Sequence, residues 1–158
     1  MQNLIALALD DRRLLRPAFV QEQGFSSLIF PDYIDRDDFL RLAAQARAAG
    51  STAITIHHAE FGAGEQVETA ADPEAAWESL FDHSHEDIIV SFAPAPLLLW
   101  LPAGEHFHVA FGSAAAMTGL ADVVALKADF IAYVEESGLT EKGQAFLRDC
   151  LTRYMIQA

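Results

Sequence analysis

The chain has 158 residues, 52% of them apolar, and sets 23 acidic against 10 basic side chains for a formal charge of −13. That length suits one domain with a core large enough to need neither disulfide nor metal, and the lone Cys150 excludes an internal disulfide. An apolar content this high excludes intrinsic disorder, while so acidic a balance argues against direct contact with nucleic acid or an anionic membrane surface.

In chain order, Leu4, Leu7, Ala8, Leu14 and Leu15 recur at helical spacings and predict a helix from Asn3 to Arg16, stopped by Pro17. Phe25 to Phe30, bounded by Gly24 and Pro31, has the length of a strand. Asp35 caps a helix running to about Ala49, with Phe39, Leu42, Ala43 and Ala46 on one face and Gly50 as its stop. Thr52 to His57 alternates as a strand, and Glu60 to Ala71, with Gly62 and Gly64, forms a loop or short hairpin. Asp72 and Pro73 then supply cap and first position for a short helix through Trp77 and Phe81.

Asp87 to Ala93, Leu97 to Leu101 and Glu105 to Phe111 are strands separated by proline-rich turns, arranged most economically as an antiparallel meander. Two helices close the chain. The first spans about Gly119 to Glu136 with Val123, Leu126, Phe130, Ile131 and Val134 inward; the second follows cap Thr140 and turns Phe146, Leu147, Cys150, Leu151 and Tyr154 inward. Strands and helices partly segregated along the chain predict an α+β fold, with residues 1–158 forming a single domain built on a mainly antiparallel sheet.

Ile88 to Gly104 carries no charge, but Pro94, Pro96 and Pro102 interrupt it too often for a membrane-spanning helix. Leu4 to Leu9 lacks the basic residues that precede the core of a secretory signal, so a cytoplasmic location is expected.

The layout of charge says more than its total. Every Lys and Arg lies at or before Arg47 or at or after Lys127, leaving 79 residues with eleven acids and no such cation. Nine of those acids fall between Glu60 and Asp87, where no neighbouring cation neutralises them. Such a cluster attracts a basic surface and accelerates its approach, which makes a basic protein the expected partner. Glu60, Glu65, Glu68, Asp82, Glu86 and Asp87 are the candidate steering acids, and Trp77 is the candidate aromatic anchor.

Candidates for catalysis are weaker. The histidines form three pairs, at 57–58, 83–85 and 106–108. His106 and His108, two apart on a strand, share a side and could hold a metal ion with His83, His85 or Glu86, whereas His57 and His58 must face opposite sides. Cys150 falls on a buried helical stripe, and Ser91 lies in a strand with no nucleophile elbow around it. Gly62-Ala63-Gly64 lacks the third glycine and the nearby cation of a phosphate loop, so it reads as a turn and no cofactor is expected. Glu86 and Asp87 read as solvent-facing neighbours, not an acid and base pair.

Trp77 on its short helix, the run from Asp82 to Asp87, Leu99-Trp100-Leu101 and His106 to Gly112 together resemble a pattern found in small acidic immunity proteins of bacterial polymorphic and contact-dependent toxin systems. The resemblance implies a cytoplasmic inhibitor, not an enzyme, that covers the active site of a cognate toxin domain such as a basic nuclease. The alternatives are a small metal-dependent enzyme or metal-binding regulator using the histidine pairs, and an adaptor for some other basic protein.

Overall fold

Among the described residues six strands form one antiparallel sheet: β1 (Ser26–Pro31), β2 (Ile54–Ala59), β3 (Gln66–Ala70), β4 (Asp87–Ser91), β5 (Leu97–Leu101) and β6 (Phe107–Gly112), in the order β1-β6-β5-β4-β2-β3. The computed structural model in which they are seen describes residues 3–60 and 62–157. Strands β4, β5 and β6 pair in sequence as the expected meander, and β2 and β3 form the hairpin. Seven helices accompany them among the described residues: α1 (Leu4–Ala8), α2 (Pro17–Glu22), α3 (Arg36–Ala48), α4 (Pro73–Asp82), α5 (Ala114–Met117), α6 (Val123–Glu136) and α7 (Glu141–Tyr154). The fold is α+β, as the segregation of its elements predicts.

Strand alternation sorts the apolar residues into two cores. Leu28, Ala110, Leu99, Val90 and Ile56 are cross-strand partners on five successive strands and face α3 and α4. One residue along, Ile29, Val109, Trp100 and Ile89 line the opposite face and pack against α6, α7 and the N-terminal segment. Each large side chain taken fully out of water contributes about 1.5–3 kcal/mol, and Phe39, Phe92, Trp100, Phe107, Phe111, Phe130 and Tyr154 are all in that state. The sheet therefore has no solvated face over most of its width.

The helix ends follow the caps. Asp35 accepts the Asp38 amide at 2.8 Å, Asp72 accepts the Ala75 amide at 2.8 Å and Thr140 accepts the Gly143 amide at 3.2 Å. Helix α6 begins at Asp122, whose carboxylate accepts the amides of Val124 and Ala125, and not at Gly119. Its inward stripe is Leu126, Phe130 and Val134, spaced one turn apart; Ile131, expected inward, lies off that stripe and is 44% exposed. Leu126 joins the first core and Phe130 and Val134 the second, so α6 passes from one face to the other beside β1. The outer side of β1 is further closed by Ser27, whose amide donates to the Ile156 carbonyl and whose hydroxyl donates to that of Tyr154.

The predicted helix from Asn3 to Arg16 does not form as one piece. It stops at Ala8, Leu9 bridges back to Leu15, and Asp10 accepts the amides of Arg12 and Leu14 in a turn where Arg13 takes φ 63°. Leu9, Leu14 and Leu15 are thereby all buried in the second core, which a straight helix would prevent because Leu9 and Leu14 would lie on different sides. Pro17 starts a helix instead of merely ending one, and the short α5, capped by Ser113, was not signalled by any long apolar period.

Gly112, where β6 crosses both β1 and β5, leaves no space for a side chain: a Cβ there would lie 2.2 Å from the Pro96 carbonyl oxygen. Gly112→Ala is expected to cost about 1–3 kcal/mol through overpacking, lowering the thermal midpoint by several degrees. Gly64→Ala, which meets open space, should leave the midpoint unchanged and serves as the control in the same melting experiment.

Candidate functional site

Because β2 alternates, His57 and His58 do face opposite sides of the sheet, and each meets carboxylates delivered from elsewhere. His58 points toward α4, where its Nδ1–H donates to Glu86 Oε1 at 3.0 Å. His83, the C-cap of α4, donates through Nδ1–H to the other oxygen of the same carboxylate at 2.6 Å. The two imidazoles stack with centroids 3.7 Å apart and planes inclined by 19°. Both Nε2 atoms then turn toward Glu68 on β3: that of His83 lies 3.3 Å and that of His58 3.8 Å from Glu68 Oε1. The other Glu68 oxygen accepts the Ser79 hydroxyl, and His58 Nε2 is buried without a hydrogen-bond partner among the described residues.

These contacts set the protonation of the cluster. The Ser79 hydroxyl holds Glu68 below the usual carboxylate range, with His83 assisting against partial burial. Burial alone would raise Glu86, but its two imidazole donors outweigh that and hold it low. Burial would likewise lower His83, yet its bonds to Glu86 and Glu68 hold it above the ordinary imidazole value. The cluster sits at the C-terminal end of α4, the negative end of the helix dipole, whose last turn contains no basic residue.

The expectation that six acids steer a partner from the surface holds only for some of them. Glu60, Glu68 and Asp82 are exposed and gather near this end of α4, Glu60 through a 3.1 Å contact with His85. Glu65, Glu86 and Asp87 are instead taken inside. Glu65 receives the amides of Leu4 and Ile5 at 3.3 and 2.6 Å and pairs with the buried His57 at 3.2 Å. Asp87 is paired with Arg13, which also donates to the Ala59 carbonyl at 3.1 Å, and accepts the Ala103 amide at 2.9 Å. A buried carboxylate must be paired, so a cation distant in sequence supplies what the stretch itself lacks. For the same reason Glu86, in the bend before β4, and Asp87, its first residue, are not solvent-facing neighbours: both are buried and each is consumed by its own partners.

Of the four histidines put forward as metal ligands, only His83 belongs to the cluster. His85 is exposed, and His106 precedes β6 with its ring against Tyr33. His108 is buried on β6, stacked on Phe30, with Nδ1–H donating to the Asp32 carbonyl at 2.9 Å. The pair at 106–108 therefore does not converge. His58, set aside because its neighbour faces away, is the ligand-type residue the sequence reading missed; only the β2–β3 register, which pairs His58 with Gln66 two residues from Glu68, brings it into place.

Next to the cluster lies a cleft of about 430 Å³, walled mainly by Tyr33, Trp77, Phe81, Leu101 and His108, with Glu86 and Glu105 among its polar groups. Burial raises Glu105 despite the nearby His106. Trp77 packs edge-on against Phe81 at 5.3 Å, and Phe81 and Tyr33 are 66% and 61% exposed, so the cleft has an aromatic rim. Trp100, Phe107 and Phe111 are core residues instead. Cys150 is buried, and burial pushes its thiol up to about 12, which leaves no thiolate for nucleophilic attack near neutral pH.

Two substitutions test these electrostatics. Arg13→Ala leaves Asp87 buried beside a single amide and is expected to cost about 3 kcal/mol in urea denaturation. His108 is held below the ordinary imidazole value by burial, against the Asp32 carbonyl and the charges of Asp38, Asp32 and Asp35. A lowered folded pKa means stability that is present above the unfolded value of about 6.5 and lost as pH falls below it, because the unfolded chain then binds a proton the native state refuses. His108→Gln should make the dependence of unfolding free energy on pH shallower between pH 5 and 7, by up to about 1.4 kcal/mol per pH unit. No family model, curated protein or solved structure matches the chain.

Proposed function

We propose that the chain is a binding protein, an inhibitor of the immunity type, whose aromatic cleft and acidic rim receive a basic polypeptide such as a toxin domain inside the cell that makes both. The observation that carries this reading is the outer surface of α4. Phe81 stands exposed on it, half-buried Trp77 lies one turn before with its ring also against Phe39, and Glu74, Glu78 and Asp82, at spacings of four, run alongside as exposed acids, Glu74 paired with Arg36. The helix contains no Lys or Arg. Aromatic anchors in a concave patch with a like-charged rim are the usual composition of a protein interface: the anchors supply affinity and the charges supply approach rate. A cationic side chain of the partner entering the cleft would meet Glu86, Glu105 and the negative end of α4, and its apolar stem would lie against the rings.

The test begins by isolating the protein held by the full chain from source-cell lysate at low salt, then measuring association and dissociation with purified components. Phe81→Ala, which removes an exposed ring without opening the core, is expected to weaken binding at least ~10-fold, mainly by faster dissociation. Glu78→Lys with Asp82→Lys should slow association and flatten its salt dependence. An acidic partner, or an association rate unmoved by the charge reversal, overturns the reading.

A further inference from the structure

We infer that His58, His83 and Glu68 form a binding site for a divalent transition-metal ion of the zinc class. This inference does not depend on the docking surface. Three potential ligand atoms, His58 Nε2, His83 Nε2 and Glu68 Oε1, converge from β2, the C-cap of α4 and β3, all within 4.8 Å of one another. Two of the edges measure 3.3 and 3.8 Å. With metal bonds near 2.0–2.2 Å a tetrahedral site has ligand edges of roughly 3.3 Å, close to those present, and ligation would splay the two stacked rings so that both Nε2 lone pairs meet at the ion.

The second observation is His58 Nε2 itself. Its side chain is 5% exposed, the atom has no hydrogen-bond partner among the described residues, and it faces Glu68 Oε1 at 3.8 Å. A buried polar atom left unpaired costs free energy that an ion would recover. Glu86 completes the arrangement: each of its oxygens accepts one Nδ1–H, which orients both rings with Nε2 toward Glu68, and an incoming ion would displace the Nε2 proton that His83 shares with Glu68. One carboxylate orienting two ligands from behind is the outer shell that metal-bound histidines require. Ser79, donating to the far oxygen of Glu68, leaves Oε1 for the ion.

Two imidazoles and one carboxylate suit zinc and its neighbours and not the hard cations, which prefer oxygen alone. Three protein ligands also leave a position open to water on the exposed side, where Glu68 is 46% and His83 22% accessible. The ion would tie the edge hairpin to α4.

The experiment uses the full chain after chelator treatment, titrated with Zn²⁺ by calorimetry and with Co²⁺ by visible absorption. The expected result is one equivalent bound, cobalt bands of a four- or five-coordinate ion that Zn²⁺ abolishes, and a thermal midpoint raised by Zn²⁺ but not by Mg²⁺. His83→Ala and Glu68→Gln, both at partly exposed positions, should each lose at least ~10-fold in affinity, and Glu86→Gln about 10–100-fold. His85→Ala should bind as the parent does. The proposal is overturned by absence of stoichiometric binding, by binding that His83→Ala and Glu68→Gln leave intact, or by an equal loss in His85→Ala. Circular dichroism confirms that each variant is folded, and Glu68→Gln alone decides the matter if His83→Ala is not.

Discussion

A sheet covered by helices on both faces offers its strand residues no solvent to point at, and here several of those residues are polar. His57, His58, Asp87 and His108 on the strands, and Glu86 in the bend just before β4, are each no more than 7% exposed. An ionised or polar group in that position is tolerable only when paired, so each demands a partner from another part of the chain. Asp87 draws the N-terminal turn onto the sheet through Arg13, and His57 draws Glu65, which in turn accepts the first amides of α1. The loops are thus positioned by electrostatic obligation as well as by apolar burial. That accounts for a segment with strong helical spacing folding back on itself after Ala8.

The same obligation builds the histidine cluster. On the α4 side of β2 the demand of His58 is met by Glu86, which must serve His83 as well because both follow from one tight connection between α4 and β4. One carboxylate shared by two imidazoles forces the rings parallel and brings both outer nitrogens to Glu68. The α4 terminus adds its own negative potential, so cluster and cleft lie in one electronegative corner of the molecule. Cation attraction is the common physical basis of the docking and metal proposals, although they use different atoms: the exposed acids and rings of α4 in one, two imidazole nitrogens and the Glu68 carboxylate in the other.

Local signals were legible where local chemistry decides. The caps Asp35, Asp72 and Thr140 set the helix starts they promised, because a side-chain oxygen and an amide three residues on need nothing from the rest of the fold. The meander was readable from proline-rich turns between apolar runs. Ile131 and the Asn3 to Arg16 segment were not, since which side of a helix is buried, and whether it continues, depends on what packs against it. The steering acids divided on the same ground: Asp82 and Glu86 look equivalent in a charged run, yet one is exposed on α4 and the other is enclosed between two imidazoles.

By itself the sequence determined the fold class, the alternating strands, most helix starts and the asymmetric distribution of charge, all properties of spacing and composition over a few residues. Tertiary structure alone decided which carboxylates keep their charge at the surface and which imidazoles meet. His58, Glu68 and His83 are brought together by strand register and by the angle at which α4 returns to the sheet, and contacts between residues 10 to 25 apart leave no periodic trace in the chain. A carboxylate's role follows from the dielectric and partners around it, which do not exist until the two faces of the sheet have closed.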